Sequence, residues 1–323
     1  MDPVPCVSIV IATRNRCILL AQTLEALATL QWPRDRIQIL VADNGSTDGT
    51  RALVESVASR SGSLPIRYLH VAEPGKSHAV NRALDLVLAS IPTPPDGVHD
   101  QVIAFTDDDV RPAPDWVARL VQAMAETGAD FVAGRVFPLW ETEPPAWMSP
   151  ALYGVLAIPD SGDARVAIDS RSSSIVPIGA NMAVRASVVA AIGGLRTDLG
   201  KLEGTLRTGE DHEFFLRMLA AGFRGIYEPR AVVRHWVPRQ RLDRAYCRRW
   251  LYQNGRDVAR LDASYRPPVA RLLGIPRYLW RQGAANLVST VRASLRQDVA
   301  TRFAAAVRVL WLGGYVRQAW FGR

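Results

Sequence analysis

The sequence predicts an α/β protein with a mostly parallel central sheet flanked by helices, continued by a basic helical extension. Three observations carry this. Short apolar runs alternate with stretches of helical periodicity up to about residue 125. A polar cluster follows several of those runs directly, where open parallel sheets bind ligands at strand carboxyl ends. Charge divides the chain: residues 230–323 carry 19 Arg, no Lys and 4 Asp, a net charge of +15, whereas residues 1–229 carry 20 basic and 27 acidic side chains.

Val7-Ser8-Ile9-Val10-Ile11 reads as a buried strand, broken by Thr13-Arg14-Asn15-Arg16. Leu19, Leu20, Thr23, Leu24, Leu27 and Leu30 then recur at helical spacing. A second strand, Ile37–Ala42, ends on Asp43-Asn44-Gly45-Ser46-Thr47-Asp48, and a helix runs from about Asp48 to Ser59. Ile66–His70 is a third strand. Glu73-Pro74-Gly75-Lys76 forms a loop, and Ser77 is placed to cap the next helix. A Pro-rich loop at 91–100 precedes a fourth apolar run, Val102 to Phe105. Beyond residue 125, Val132–Phe137 reads as a strand, 139–173 as an irregular stretch containing Trp140 and Trp147, and Val176–Arg185 as a strand with small residues Gly179 and Ala180. Thr208 is placed to cap a helix with Glu210 and Asp211 in its first turn and Phe214, Phe215, Met218 and Leu219 on its buried face. Ala231–Trp236 is a final strand, in which His235 sits at the end.

The stretch IAFTDDDVRP poses the chemical question. An apolar strand stops on Asp107, Asp108 and Asp109. Adjacent carboxylates repel, so they need open water or a compensating cation. A solvated turn is the plain explanation. Against it stand Thr13, Asp43 and Lys76, which occupy equivalent strand ends and would share one crevice. Lys76 is one of only two lysines beside 37 arginines, which suits a compact ammonium set against phosphate.

The 323 residues are 48% hydrophobic, enough for a sizeable core. Three scattered cysteines exclude a disulfide framework and a cysteine-based zinc site. The N-terminus does not read as a signal peptide, and no uncharged apolar run reaches the length of a spanning helix. No GxGxxG follows the first strand, which argues against a dinucleotide dehydrogenase. A nucleotidyltransferase would want a glycine-rich loop where IATRNRC stands.

VSIVIATRNR, ILVADNGSTDGT, EPGKSHAVNRAL, FTDDDVRP, GANMAVR, GEDHEFFLRM and VVRHWVP, in that order, resemble a family 2 glycosyltransferase of the inverting, Rossmann-like GT-A fold, of the bacterial polysaccharide or glycolipid type. The resemblance covers roughly residues 5–240. It implies a catalytic domain over 1–240, with a nucleotide-sugar half at 1–125 and an acceptor half at 126–240, and leaves 241–323 as the basic, aromatic-rich extension. It implies that Thr13 and Asp43 contact the nucleotide, that Lys76 supports the base or phosphates, and that Asp107 and Asp108 belong to the donor site. Asp109 matches a ligand of a divalent metal, Mg²⁺ or Mn²⁺, and His235 a histidine that completes its shell in some relatives. Asp211 matches the general base. Many relatives have a further carboxylate where this chain has Val110, so the metal shell is not fully specified.

The implied reaction is metal-assisted transfer of a sugar from a nucleoside-diphosphate sugar, expected to be a UDP-sugar, to a hydroxyl of a glycan or lipid-linked acceptor. A non-catalytic nucleotide-sugar or glycan-binding module and a nucleotidyltransferase are the competing functions. Plain alternatives stay open residue by residue: Asp211 as a helix-dipole charge, Glu210 as its partner or as the base itself, His235 as a packed strand residue, and Trp140 and Trp147 as local anchors rather than sugar platforms. Between Val299 and Trp320, Val299, Phe303, Val307, Leu310, Trp311 and Tyr315 recur at helical spacing among Arg302, Arg308 and Arg317. Arginine beside interfacial aromatics predicts docking on an anionic membrane surface, at the cytoplasmic face, rather than binding of nucleic acid.

Overall fold

The structure, a computed structural model, describes residues 4–60, 65–90, 101–159, 161–170, 175–201, 204–265 and 268–322. The Pro-rich loop at 91–100 lies outside the described residues. The chain divides into two compact units, one of residues 1–137, 161–202 and 210–235, the other of residues 138–160, 203–209 and 236–323.

In the first unit, β1 (Val7–Thr13), β2 (Ile37–Asp43), β3 (Ile66–His70) and β4 (Val102–Asp107) run parallel. Helices α1 (Cys17–Ala28), α2 (Thr50–Ala58) and α3 (Lys76–Ser90) connect the first three strands and follow the third. The near-continuous apolar character of β1 and β2 reflects burial on both faces. The register is decisive for function. Thr13 pairs with Asp43, Asp43 with His70, and Ala12 with Asp107, so four strands end in one row. That is where the sequence placed its polar clusters.

Asp108 and Asp109 form a two-residue turn into a short strand, β5 (Val110–Pro112), which is followed by α4 (Trp116–Thr127). The sheet then continues with β6 (Phe131–Trp140), β7 (Val166–Ile168), β8 (Met182–Arg185), α5 (Ala186–Ile192), α6 (Glu210–Ala220) and β9 (Gly225–Val237). The described strands are ordered β3-β2-β1-β4-β8-β6-β9-β5, with β7 on β9. Strand β8 runs antiparallel to β4 and β6, and β9 antiparallel to β5 and β7. Phe214 and Phe215 of α6 pack edge-to-face on Phe105 and Phe131, at centroid distances of 6.4 and 6.1 Å. These contacts fix the helix whose first turn carries Glu210 and Asp211.

Several local expectations change. Ser77 does not cap α3, which begins at Lys76; its hydroxyl donates to the Leu199 carbonyl instead. Thr208 does not cap α6, because its N–H and hydroxyl both donate to Asp257. The strand expected over 176–185 is confined to β8, since Asn181 N–H turns back onto the Ile178 carbonyl at 3.0 Å. The irregular stretch at 139–173 contains β7 and a 3-10 turn at Pro150–Leu156.

The second unit is largely helical: α7 (Arg244–Tyr265), α8 (Arg277–Leu295) and α9 (Val299–Phe321). Helix α9 packs on both others. Gly255 and Gly314 explain how closely α7 and α9 approach. A side chain at Gly255 would strike the Trp311 carbonyl, and one at Gly314 the Tyr252 carbonyl, so backbone meets backbone there. Trp311 Nε1 donates to Asn254 at 2.8 Å and the Tyr315 hydroxyl to Asp262 at 2.6 Å, which satisfies the polar ends of two aromatic residues. Trp147 stacks edge-on against Phe303 at 4.7 Å beneath Arg244, and Trp140 against Tyr153 at 5.6 Å. Each tryptophan thus has an aromatic partner within the helical unit.

Candidate active site

The three aspartates divide their work. Asp108 accepts the Thr13 hydroxyl at 2.8 Å and Arg16 Nη1 at 2.9 Å, while its carbonyl accepts the Thr23 hydroxyl at 2.9 Å. It ties the aspartate turn to β1 and α1. Burial, with the neighbouring Asp109 charge, pushes its carboxyl up to about 6 against the pull of Arg16. Asp107 and Asp109 serve a second cluster. Lys76 Nζ pairs with Asp107 Oδ1 at 2.8 Å, and Asp109 accepts from Arg16 at 2.7 Å and lies 3.2 Å from His235 Nε2. Burial disfavours the Asp107 charge, but Lys76 outweighs it and holds the carboxyl below its ordinary range.

His235 arrives through sheet pairing. Strand β9 runs antiparallel to β5 with His235 opposite Val110, which sets the imidazole beside the turn that precedes Val110. Val110 itself is fully buried. His235 is 2% exposed, and its Nδ1 is buried with no hydrogen-bond partner. Asp107, Asp109 and His235 each present a ligand atom, all within 4.8 Å of one another. Two hard carboxylate donors and one imidazole fit Mg²⁺ or Mn²⁺.

The other side of Lys76 faces α6. Asp211 Oδ2 accepts the Gly179 N–H at 2.8 Å. A methyl group at Gly179 would stand 3.0 Å from Asp211 Oδ1, 3.2 Å from Oδ2 and 3.3 Å from Lys76 Nζ. A side chain here would press on the carboxylate and make it give by a few tenths of an ångström. Lys76 bears a raised pKa: burial opposes its charge, but Asp107, Asp211 and Glu210 outweigh that. Glu210 is buried beside Asp211, and the two effects push its carboxyl up to about 7 despite Lys76.

Asp43 is 1% exposed and accepts Ser46 N–H at 2.9 Å and the Tyr68 hydroxyl at 2.7 Å. Burial and this bond push the Tyr68 phenol up to about 12. The structure thus brings Asp107, Asp109 and His235 together, links them to Lys76 and Asp211, and sets Thr13 behind them on Asp108. Asp43 shares their row of strand ends. Sequence reasoning missed Arg16 as the counter-charge of two aspartates, although a basic residue just past β1 was its available signal. It also missed Tyr68.

The architecture recurs in solved structures. A mannosyltransferase from Pyrobaculum calidifontis, in complex with GDP-Man and Mn²⁺, superposes with a TM-score of 0.63 at 20% identity over 99% of this chain and 88% of that one. Residues 1–349 of S. aureus TarS in complex with UDP-GlcNAc give 0.53 at 13% identity over 96% and 92%. The fold is that of a GT-A glycosyltransferase. The sequence model of Glycosyl transferase family 2 matches residues 8–166, and that of Glycosyl transferase family group 2 matches residues 102–321. The succinoglycan biosynthesis protein ExoM of Rhizobium meliloti is 30% identical over 247 residues, covering 76% of this chain and 71% of that protein. A pre-mycofactocin glycosyltransferase of Mycobacterium tuberculosis is 29% identical over 71% of this chain, which spans 42% of that protein. The chain belongs to the family 2 glycosyltransferases.

Proposed function

We propose that this chain transfers a sugar, with inversion, from a nucleoside-diphosphate sugar to a hydroxyl of a glycan or lipid-linked acceptor. The observation that carries this is the convergence of Asp107, Asp109 and His235 with Lys76 and Asp211 at the strand ends. The relatives named above support a sugar-nucleotide donor, and ExoM, named for succinoglycan biosynthesis, supports a polysaccharide-type acceptor. A UDP-sugar is the donor we favour. Asp107, Asp109 and His235 would hold Mg²⁺ or Mn²⁺, whose role is to stabilise negative charge on the departing diphosphate. Asp108 takes part in the donor site through Thr13 and Arg16, which it holds in place.

The chain's own residues supply the rest. Lys76 offers an ammonium to the phosphates, and the buried pair with Asp107 keeps it charged. Thr13 and Asp43 border the nucleotide. Asp211 receives the acceptor's proton as its oxygen attacks the anomeric carbon. Gly179 N–H holds one Asp211 oxygen by hydrogen bond, which orients the carboxylate. One displacement inverts the anomeric centre.

The catalytic domain spans 1–240 in this scheme, and 241–323 docks the enzyme on the cytoplasmic face of an anionic membrane. Support comes from α8, whose Leu287, Val288, Val291 and Leu295 are exposed along one stripe beside Arg292 and Arg296. Trp320, Phe321, Leu272 and Leu273 add exposed apolar surface in the same unit. Helix α9 favours a second arrangement: it is long and apolar enough to cross a membrane, and only 33% of its most apolar window is buried. The transferase proposal is tested by incubating the protein with a panel of nucleotide-sugars and Mn²⁺ and measuring free nucleoside diphosphate. Slow hydrolysis of one donor is expected. Binding without any turnover points instead to a sugar-nucleotide-binding module.

A further inference from the structure

The helical unit contains a basic cavity that the transferase proposal does not use. Arg249, Gln253, Arg256 and Arg260 recur on α7 at steps of four, three and four residues, the spacing of a single helical stripe. With Tyr252 and Arg207 they line an open cavity of about 610 Å³. Among the described residues one carboxylate serves this stripe. Asp257 is 2% exposed and accepts Gln253 Nε2 at 2.9 Å, Arg260 Nη1 at 3.0 Å and Thr208 N–H at 3.0 Å. It fixes Arg260 and the preceding loop, and it neutralises one guanidinium. Among the described residues Arg249 and Arg256 make no ion pair, and Arg256 Nε is buried with no hydrogen-bond partner.

Guanidinium forks match phosphate oxygens two at a time. Arg249 and Arg256, unpaired among the described residues, have the charge for a doubly charged anion. A tyrosine and a glutamine beside them offer further hydrogen bonds. We propose that this cavity binds a phosphate or diphosphate ester. The ester is the phosphorylated end of the acceptor, a clause that rests on the transferase proposal, in which the donor's diphosphate already has Lys76 and the Asp107–Asp109–His235 group.

The test is calorimetric titration of inorganic pyrophosphate into the full chain in EDTA, so that metal-dependent donor binding is silent. Wild type and Asp109→Asn should bind alike. The double variant Arg249→Gln with Arg256→Gln should lose affinity by at least about tenfold, the loss expected for charged donors removed from a phosphate. Arg249 is exposed, so Arg249→Gln alone keeps the test valid if the double variant misfolds; it should weaken binding several-fold. No binding by wild type, or unchanged affinity in an Arg variant that melts like wild type, overturns the site. So does loss of binding in Asp109→Asn alone. Competition then identifies the source. Displacement of pyrophosphate by a soluble alkyl diphosphate, but not by phosphatidylglycerol vesicles, supports the acceptor. Displacement by vesicles assigns the cavity to a bilayer headgroup and overturns the acceptor clause. Retained pyrophosphate binding in a chain that transfers no sugar overturns that clause alone and leaves the site standing.

Discussion

Gly179→Ala tests whether the Asp211 carboxylate is held in position for chemistry. The added methyl would stand 3.0 Å from Asp211 Oδ1 and 3.3 Å from Lys76 Nζ. Ordinary contact begins near 3.5 Å, so the carboxylate must retreat by roughly 0.5 Å. Displacing a reacting group by 1 Å costs about 10²-fold, so half that shift should lower kcat about tenfold, or about 1.4 kcal/mol. The donor KM should change less than kcat, because the methyl crowds both Asp211 oxygens more closely than it crowds Lys76 Nζ, the donor-site group beside it. Backbone strain is not at issue, as Gly179 lies outside the left-handed region. The assay is steady-state release of nucleoside diphosphate with the preferred donor, beside a melting curve to confirm folding. A kcat within twofold of wild type, in a protein where Asp211→Asn is inactive, would refute the positioning role. A raised donor KM with normal kcat would place Gly179 in the donor site instead.

Four further outcomes follow from the same geometry. Asp211→Asn should keep donor affinity while turnover collapses, read by calorimetry beside kinetics; lost donor binding would show that Asp211 serves the nucleotide. Glu210→Gln should change the pH dependence of stability. The Glu210 carboxyl titrates near 7 when folded against about 4.5 unfolded, so wild type binds the extra proton when folded and loses stability as pH rises from about 4.5 through 7. The variant should lack that part of the slope and be up to about 3 kcal/mol more stable at pH 8, checked by urea melts at both ends. Arg16→Met removes the counter-charge of Asp108 and Asp109 and should cost about 2–3 kcal/mol at pH 7.5 and less at pH 5, where Asp108 takes up a proton. Val291→Glu should abolish flotation with anionic liposomes without affecting turnover of a soluble acceptor; flotation equal to wild type would remove α8 from the docking face, and resistance of wild type to both salt and alkali would indicate that α9 spans the bilayer.

Legibility in the sequence followed how local each determinant is. The four parallel strands could be read because burial on both faces leaves unbroken apolar runs, and their polar endings could be read because the register of parallel strands aligns them. His235 and Asp211 were legible only as motif positions. What brings His235 to Asp109 is the pairing of β5 with β9 across more than a hundred residues, and β5 is only three residues long. Two proposed caps failed because tertiary partners claimed the side chains: Leu199 took Ser77, and Asp257 took Thr208. Arg16 was hidden because a basic residue in a polar turn looks solvated until its partners, more than ninety residues away, are known. The arginine stripe of α7 was visible as charge but not as a cavity, since the loop that closes it belongs to a distant segment.

Transfer by wild type in excess EDTA, set beside Asp109→Asn in saturating Mn²⁺, tests the central claim most directly. Both should fall by about 10² or more relative to wild type with metal, since each removes charge stabilisation at the diphosphate. Restoring Mn²⁺ to the chelated wild type should recover the rate, whereas Asp109→Asn should stay slow. Full activity in EDTA, or near-normal rates in Asp109→Asn, would contradict the account and leave the aspartates as a salt-bridged turn held by Arg16 and Lys76.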